Sequence, residues 1–438
     1  MSRSTSEVSI VTVNWNGREH LARLLPSLAE LSAGEIIVVD NGSSDGSQDL
    51  VRHQFPQVKL LQNEVNQGFC QPNNLAAEHA SGRCLAFINN DMRADGKWLQ
   101  NALPLLEGDT CCVASRILDW EGKRIDFNGS SLQYLGYAVQ RDIGELVENV
   151  SHEKHILFPC GGAMLIDRQV FLAAGGFDED YFAIFEDVDL GWRLWLAGYR
   201  VAFAPESFVY HRGHSTFKQH EDQKMRYLMH RNALLTVIKN YEEEAFRKIL
   251  SLAFIMAVKR AVLFSGVEKE SFYLWGKTRQ RLEAGDLAAR LHFMDALNHL
   301  VAVDDVLESL PRLLEKRAKI QALRKRSDAE ILQLFVDPVR GIFEHPQYRS
   351  QEAEYINRLD LGPLIDHLKP GDYARTLPPF LESKIKDLKN ELLAREWIRT
   401  QNGLHPQMRS GSRFGKFVLS WKYEGPGAAV RRALRALK

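Results

Sequence analysis

CLAFINND, residues 84–91, runs from an unbroken apolar segment straight into two amides and a carboxylate. Five residues without a polar member, 84–88, suit a strand buried on both faces, as the strands of a parallel sheet are. The residues just past such a strand matter, because α/β folds bind ligands outside the carboxyl ends of their parallel strands. Asn89, Asn90 and Asp91 therefore either face a substrate or form an Asx turn that simply stops the strand. The two readings are separated by the rest of the chain.

Upstream, short β-rich runs alternate with helical ones. VSIVTV (8–13) is a strand, and NWNG leads into a helix with Leu21, Leu24, Leu25 and Leu28 on one face. EIIVVD (35–40) is a second strand, closed by the turn NGSSDGS and a helix through Leu50 and Val51. VKLLQ (58–62) is a third, with a helix over 72–79 before the run at 84. This alternation builds right-handed βαβ units, hence an α/β, doubly wound, Rossmann-like domain with a mostly parallel sheet and helices on both faces. From 157 to 210 the pattern loosens around Gly161-Gly162 and Gly175-Gly176, with strands at AMLI (163–166) and RVAFA (200–204). Beyond about 221 it is helical, and Arg231 and Asn232 in MHRNALL read as a polar pair on a helix surface. The divisions expected are an α/β domain over 1–240, a helical domain over 241–400 and a basic tail over 401–438.

Lys plus Arg and Asp plus Glu each total 56, so no global field points to nucleic acid. Five cysteines, an odd number without metal-ligand spacing, suggest a reducing compartment. The first residues lack the cationic and apolar segments of a signal peptide, and LSLAFIMAV (250–258) is far short of the roughly 20 apolar residues of a spanning helix, so the cytoplasm is the expected location. In the tail, AAVRRALRALK (428–438) sets Val430, Ala433, Leu434 and Leu437 among arginines. That pattern suits a helix on an anionic membrane surface and equally a solvated end helix packed on its own protein.

Several polar clusters could carry chemistry. Asp40 closes an apolar strand, where a carboxylate can accept from a ribose hydroxyl or a base N–H, or cap a turn. No glycine-rich GxGxxG comes after the first strand and no GxxxxGK[ST] occurs, which excludes the usual dinucleotide and P-loop phosphate sites. Glu186, Asp187 and Asp189 crowd the start of an apolar-periodic helix, three acids in four positions where dipole and capping ask for one. Trp15, Trp192 and Trp195 could stack on sugars, but their spacing favours core packing.

Taken together and in order, TVNWNG (12–17), VVDNGSSDGS (38–47), NEVNQGFCQPNN (63–74), FINND (87–91) and GGFDEDYFAIFEDVDLGWRLWLAGYRVAFAPESFVYHRG (175–213) resemble the family 2 nucleotide-sugar glycosyltransferases of the GT-A fold. Within that family the likeness is to rhamnosyltransferase-like bacterial members that build cell-surface polysaccharides, and it covers roughly residues 6–240. The resemblance implies a nucleotide-diphosphate sugar donor, a glycan or lipid-linked saccharide acceptor, and Mg²⁺ or Mn²⁺ neutralising the departing diphosphate. It places FINND at the family's DxD motif, with Asn89 in place of the first acid and Asp91 retained as metal ligand. His211 would complete the metal site, with His214 the alternate. The general base of an inverting transfer would be Asp187, with Glu186 orienting acceptor or base. Thr12, Asn14, Asp40, Asn66, Gly68, Asn74, Asn89, Asn90, Gly161 and Gly162 would border the donor. Two other readings stay open: a nucleotidyltransferase, against which stands the absence of a glycine-rich basic loop near the N-terminus, and a non-catalytic glycan-binding relative, which Asn89 favours.

Overall fold

The structure, a computed structural model, describes residues 3–150, 152–212, 219–265, 285, 287–335, 338 and 345–365. His214 and the basic tail over 401–438 lie outside the described residues.

The alternating half folds as its apolar runs require. Strands β1 (Val8–Asn14), β2 (Glu35–Asn41), β3 (Lys59–Asn63) and β4 (Cys84–Ile88) pair in parallel in the order β3-β2-β1-β4, with helices α1 (Arg18–Ala29), α2 (Ser47–Gln54) and α3 (Cys70–His79) in the crossovers. Every residue of β4 is buried, as expected of a strand covered on both faces. All four strands point the same way, so Asn14, Asn41, Asn63 and Asn89 stand at or just past one edge.

Past β4 the sheet turns mixed. Strands β5 (Met92–Ala94), β6 (Thr110–Asp119) and β7 (Ile125–Phe127) come next, with α4 (Trp98–Ala102) between the first two. A two-stranded hairpin, β8 (Ser130–Leu132) and β9 (Ala138–Gln140), stands apart. Then β10 (Ala163–Asp167) runs antiparallel between β4 and β6, and β11 (Arg200–His211) pairs in parallel with β6 and antiparallel with β5. The full order is β3-β2-β1-β4-β10-β6-β11-β5, with β7 on β6. The reversal at β10 has a consequence for function. Its entry, Gly161-Gly162, lies beside the exit of β4, and the Asn89 N–H donates to the Gly162 carbonyl at 3.1 Å.

After β10 come α5 (Arg168–Ala173) and α6 (Glu186–Leu196), and after β11 the long helices α7 (Gln219–Asn240), α8 (Glu243–Ser265) and α9 (Leu287–Ala322), then α10 (Asp328–Leu332). Compact units divide at Pro338: Met1–Pro338 and Val339–Lys438, the second described by the helices Pro346–Arg358 and Gly362–Ile365. A helix does begin just after 240, but α8 and α9 belong to the same compact unit as the sheet, so 240 marks a change of element within one unit. No helix among the described residues is long and apolar enough to cross a membrane.

Buried charge ties α6 to α7 and α9. Asp189 on α6 is fully buried and accepts from Arg193 Nε at 2.8 Å and from Lys239 Nζ of α7 at 2.8 Å. The same ammonium reaches Asp178 at 2.5 Å, and Lys316 of α9 bridges Asp178 and Asp180 at 2.5 and 2.7 Å. Burial would raise Asp178, but the two lysines hold it well below the usual carboxylate range. The third acid of the cluster is thus a structural anchor. Removing one partner of a buried pair leaves uncompensated charge, so Lys239→Met is expected to lower unfolding stability by about 3 kcal/mol in urea titrations. A loss under about 1 kcal/mol would mean that the network is not what joins these helices.

Candidate active site

The candidate site grows from the strand ends. Asn14, at the end of β1, donates from Nδ2 to Asp40 Oδ2 and to Ser43 Oγ, each at 3.3 Å, and its Oδ1 accepts from Asn90 Nδ2 at 2.8 Å. One amide therefore links the exits of β2, β1 and β4. Asp40 is buried and also accepts from Ser43 N at 3.0 Å and Gln48 Nε2 at 2.7 Å. Thr12, on β1 with Asn14, is fully buried, and its hydroxyl has no hydrogen-bond partner among the described residues. Next to them Asn41, which the sequence reading passed over as a turn former, donates to Asn66 Oδ1 at 3.0 Å and to the Gly68 carbonyl at 2.8 Å.

Asn74 goes elsewhere. Its side chain pairs with both the N–H and the carbonyl of Phe177, at 2.9 and 2.8 Å, and with Glu179 at 3.2 Å, so it fastens the turn after α5. Trp192 and Trp195 are buried, as their spacing predicts, and Trp15 is not: it lies beyond the end of β1, 50% exposed.

The acids at the start of α6 sit behind an unusual backbone. Phe182, Ile184 and Phe185 all have positive φ, at 63°, 71° and 66°. Phe182, with ψ −57°, is the centre of a γ-turn closed by Ala183 N to the Tyr181 carbonyl at 2.7 Å, a rare and strained arrangement. A β-branched residue such as Ile184 in the left-handed region is a true outlier, costing of order 1–3 kcal/mol. Gly68, itself at φ 81°, packs against this turn so closely that a Cβ there would collide with the Phe182 carbonyl. Helix α6 accordingly starts at Glu186, preceded at the cap position by Phe185, whose side chain makes no capping hydrogen bond.

That turn delivers Glu186 and Asp187. Asp187 is half-buried, and its Oδ2 accepts from Gly161 N at 2.8 Å and its Oδ1 from Val188 N at 2.8 Å. Burial raises its carboxyl and the two N–H donors oppose that, leaving it at about 6. Glu186 is buried, and burial followed by the charge of Asp187 pushes it well above the usual range; its Oε2 has no hydrogen-bond partner among the described residues. Two adjacent acids are thus pushed apart, one neutral and one able to titrate near neutrality. Gly162 lets the β10 entry close on Asn89, since a Cβ there would stand 2.7 Å from Asn89 Nδ2.

Asp91 and His211 also meet, His211 Nε2 lying 3.1 Å from Asp91 Oδ2. On its other side His211 Nδ1 pairs with Asp126 on β7, a residue the sequence reading missed because a three-residue strand has no legible pairing. Burial would lower the imidazole, but the hydrogen bonds to Asp126 and Asp91 outweigh it and push it up to about 10. Burial would raise Asp91, and His211 holds it below the usual range. Asp91 Oδ1 is buried without a hydrogen-bond partner among the described residues, a hard oxygen left over for a cation. Among the described residues no three His, Cys, Asp or Glu side chains form a ligand shell, so an ion here would need oxygens from a bound diphosphate as well.

Residues 9–173 match the model described as "Glycosyl transferase family 2", and residues 134–278 match "Glycosyl transferase family group 2". A domain of the family 2 glycosyltransferases accordingly occupies residues 9–173 of this chain. The chain is 26% identical over 257 residues to the N-acetylglucosaminyl-diphospho-decaprenol L-rhamnosyltransferase of Mycobacterium tuberculosis, covering 48% of this chain and 78% of the relative. It is 27% identical over 223 residues to the O-antigen biosynthesis protein RfbC of Myxococcus xanthus, covering 48% and 17%. Among solved structures, GalNAc-T7 with UDP, GalNAc and Mn²⁺ aligns with a TM-score of 0.44 at 16% identity, over 58% of this chain and 50% of that one.

The paired charges of His211 and Asp91 make a prediction about stability. A histidine raised on folding stabilises fully below its unfolded value of about 6.5, and that contribution decays as pH climbs to its folded value; a lowered carboxyl contributes above its unfolded value of about 3.9. The unfolding free-energy gap between the wild type and His211→Gln is therefore expected to be widest between about pH 4 and 6.5 and to narrow steadily toward pH 10. A gap that stays constant from pH 7 to 10 would refute the paired charges.

Proposed function

We propose that the chain is an inverting glycosyltransferase. In this reading it moves a sugar from a nucleotide-diphosphate sugar, dTDP-rhamnose or a UDP-hexose, to a glycan or lipid-linked saccharide acceptor in cell-surface polysaccharide synthesis. The observation that carries it is Asp187: a half-buried carboxylate at about 6, aimed by the Gly161 N–H at the span that touches the exit of β4. A base poised near the working pH is what proton abstraction from a hydroxyl asks for.

The acceptor hydroxyl gives its proton to Asp187 as its oxygen bonds to C1 of the donor sugar. The C1–O bond to the diphosphate breaks on the opposite face, and its electron pair leaves with the nucleotide. Glu186, neutral and next in the chain, offers a proton donor to orient an acceptor oxygen. Thr12, Asn14, Asp40, Asn66, Gly68, Asn89 and Asn90 border the nucleotide and diphosphate, with Gly161 and Gly162 beside the sugar. Asn74, which fastens the neighbouring turn, serves the site indirectly. Asp91 would hold the divalent cation, with Asn89 lending an amide oxygen but no charge, and His211 would join it only on giving up the proton it shares with Asp91. Mg²⁺ or Mn²⁺ would supply Lewis-acid neutralisation of the departing diphosphate. The relatives named for a decaprenol-linked sugar and for O-antigen synthesis support the class of acceptor. An acceptor of that kind would bring the protein to the cytoplasmic membrane face, with residues 401–438 as the peripheral contact.

Asp187→Asn should lower kcat by about 10²- to 10⁴-fold and leave nucleotide affinity nearly unchanged. Below about pH 6, kcat/KM of the wild type should fall tenfold per pH unit as the base is protonated, and a profile flat through pH 5 would remove Asp187 from that role. The donor is to be found by screening dTDP-, UDP- and GDP-sugars with and without Mn²⁺. Asp91→Ala is expected to abolish the Mn²⁺ enhancement of nucleotide binding seen by calorimetry, and an enhancement that survives would place the ion elsewhere.

A further inference from the structure

Asn232 is completely buried in the middle of α7, contrary to the surface position its sequence context suggests. It touches neither the strand ends nor either acid in any hydrogen bond of the described residues. Instead its Nδ2 lies within hydrogen-bond distance of three carbonyls on the strained turn, those of Tyr181, Ala183 and Ile184, at 3.1, 2.8 and 2.7 Å, which share its two hydrogens. Its neighbour Arg231 extends the grip by one residue, donating from Nη2 to the Asp180 carbonyl at 2.7 Å and from Nη1 to Asn232 Oδ1 at 3.3 Å. The guanidinium is itself held by Asp305 of α9 at 2.5 Å. The Phe182 carbonyl accepts from Phe69 N at 2.6 Å and Cys70 N at 3.3 Å, at the start of α3.

Every carbonyl from 180 to 184 therefore has a donor outside the turn. Three of the residues from 182 to 185 are in conformations an L side chain avoids, and a backbone of that kind persists only where its surroundings over-determine it. Released, Ile184 and Phe185 would relax toward negative φ and carry the first turn of α6 with them. Asp187, two residues on, would leave the Gly161 N–H.

We infer that Asn232, braced by Arg231, is a positioning residue of the transfer reaction: it holds the turn at 181–184 in its left-handed form and thereby sets Asp187 against the glycine span 161–162. The inference rests on Asp187 being the base. It adds a requirement that the helices after the sheet take part in assembling the site.

The test has two arms. In the first, amide hydrogen exchange of peptides covering 180–190 is compared between wild type and Asn232→Ala; the variant should exchange at least tenfold faster there and unchanged in β1, β2 and β4. Equal protection in the turn overturns the clamp, whatever the chain catalyses. If Asn232→Ala does not fold, Asn232→Ser, which keeps one donor, should show an intermediate loss, and full protection in it equally overturns the clamp. In the second arm, steady-state sugar transfer should show kcat of Asn232→Ala down about 100-fold with the donor KM within about threefold. Adding Ile184→Gly, which removes the side-chain cost of the left-handed region, should return part of that loss, about 5- to 30-fold. No recovery, or a loss confined to KM, overturns the positioning role. Faster exchange in the variant together with no transfer by the wild type would keep the clamp and overturn the reading of Asp187 as base.

Discussion

The hydrogen bond from the Gly161 N–H to Asp187 joins two halves of the molecule that the chain builds separately. One half is the edge of a parallel sheet, where Asn14, Asp40, Asn90 and Asn89 meet because parallel strands must all end on the same side. The other is a helix start that arrives only after nearly a hundred further residues. What brings them together is β10. By running antiparallel against β4 it sets its entry at the exit of that strand, and the Asn89 N–H and the Gly162 carbonyl close the seam. A parallel strand at that position would have put its glycines at the far edge of the sheet, and the acids would have faced nothing.

The two acid clusters are tuned in opposite directions by the same physics. Burial works against charge in all four groups, and partners decide the outcome. His211 lies between Asp126 and Asp91 and is held as an imidazolium, while Asp91 stays ionised. Around Asp187 no cation intervenes; two backbone N–H groups offset burial only in part, and Glu186 beside it stays protonated. Asp189, two residues on, is the contrast within a single helical turn: Arg193 and Lys239 claim it, and it is held in the charged form as a strut.

The parts legible in the sequence were those whose signal is local. Strands β1, β2 and β4 announce themselves as apolar runs closed by amides and acids, because strands covered on both faces have no room for alternation. The crowding of Glu186, Asp187 and Asp189 was visible as an excess over what a helix start needs, though not which member was structural; that depended on Lys239, fifty residues away. Strands β5 and β7 were not legible, at three residues each: β5 is defined only by β11, over a hundred residues away, and β7 by a local pairing with β6 that a register shift interrupts, and with β7 went Asp126. The sequence context of Asn232 misleads for a similar reason. An amide beside an arginine on a helix reads as a surface pair until the carbonyls it serves are known, and those belong to a turn whose left-handed residues, Phe, Ile and Phe, give no glycine signal.

That absence of glycine is itself informative. A turn needing positive φ at three places would be easiest to build from glycines, and a glycine turn would hold its shape without help but would also sample many others. With Phe182, Ile184 and Phe185 there instead, the backbone has one supported arrangement and a steep cost for leaving it, provided that donors occupy its carbonyls. The support comes from α7, which α9 braces in turn through Asp305 and through Lys316 at Asp178. Helices that read as an appendage to an α/β domain are therefore tied to the backbone that carries the candidate base, which accounts physically for their lying in one compact unit with the sheet.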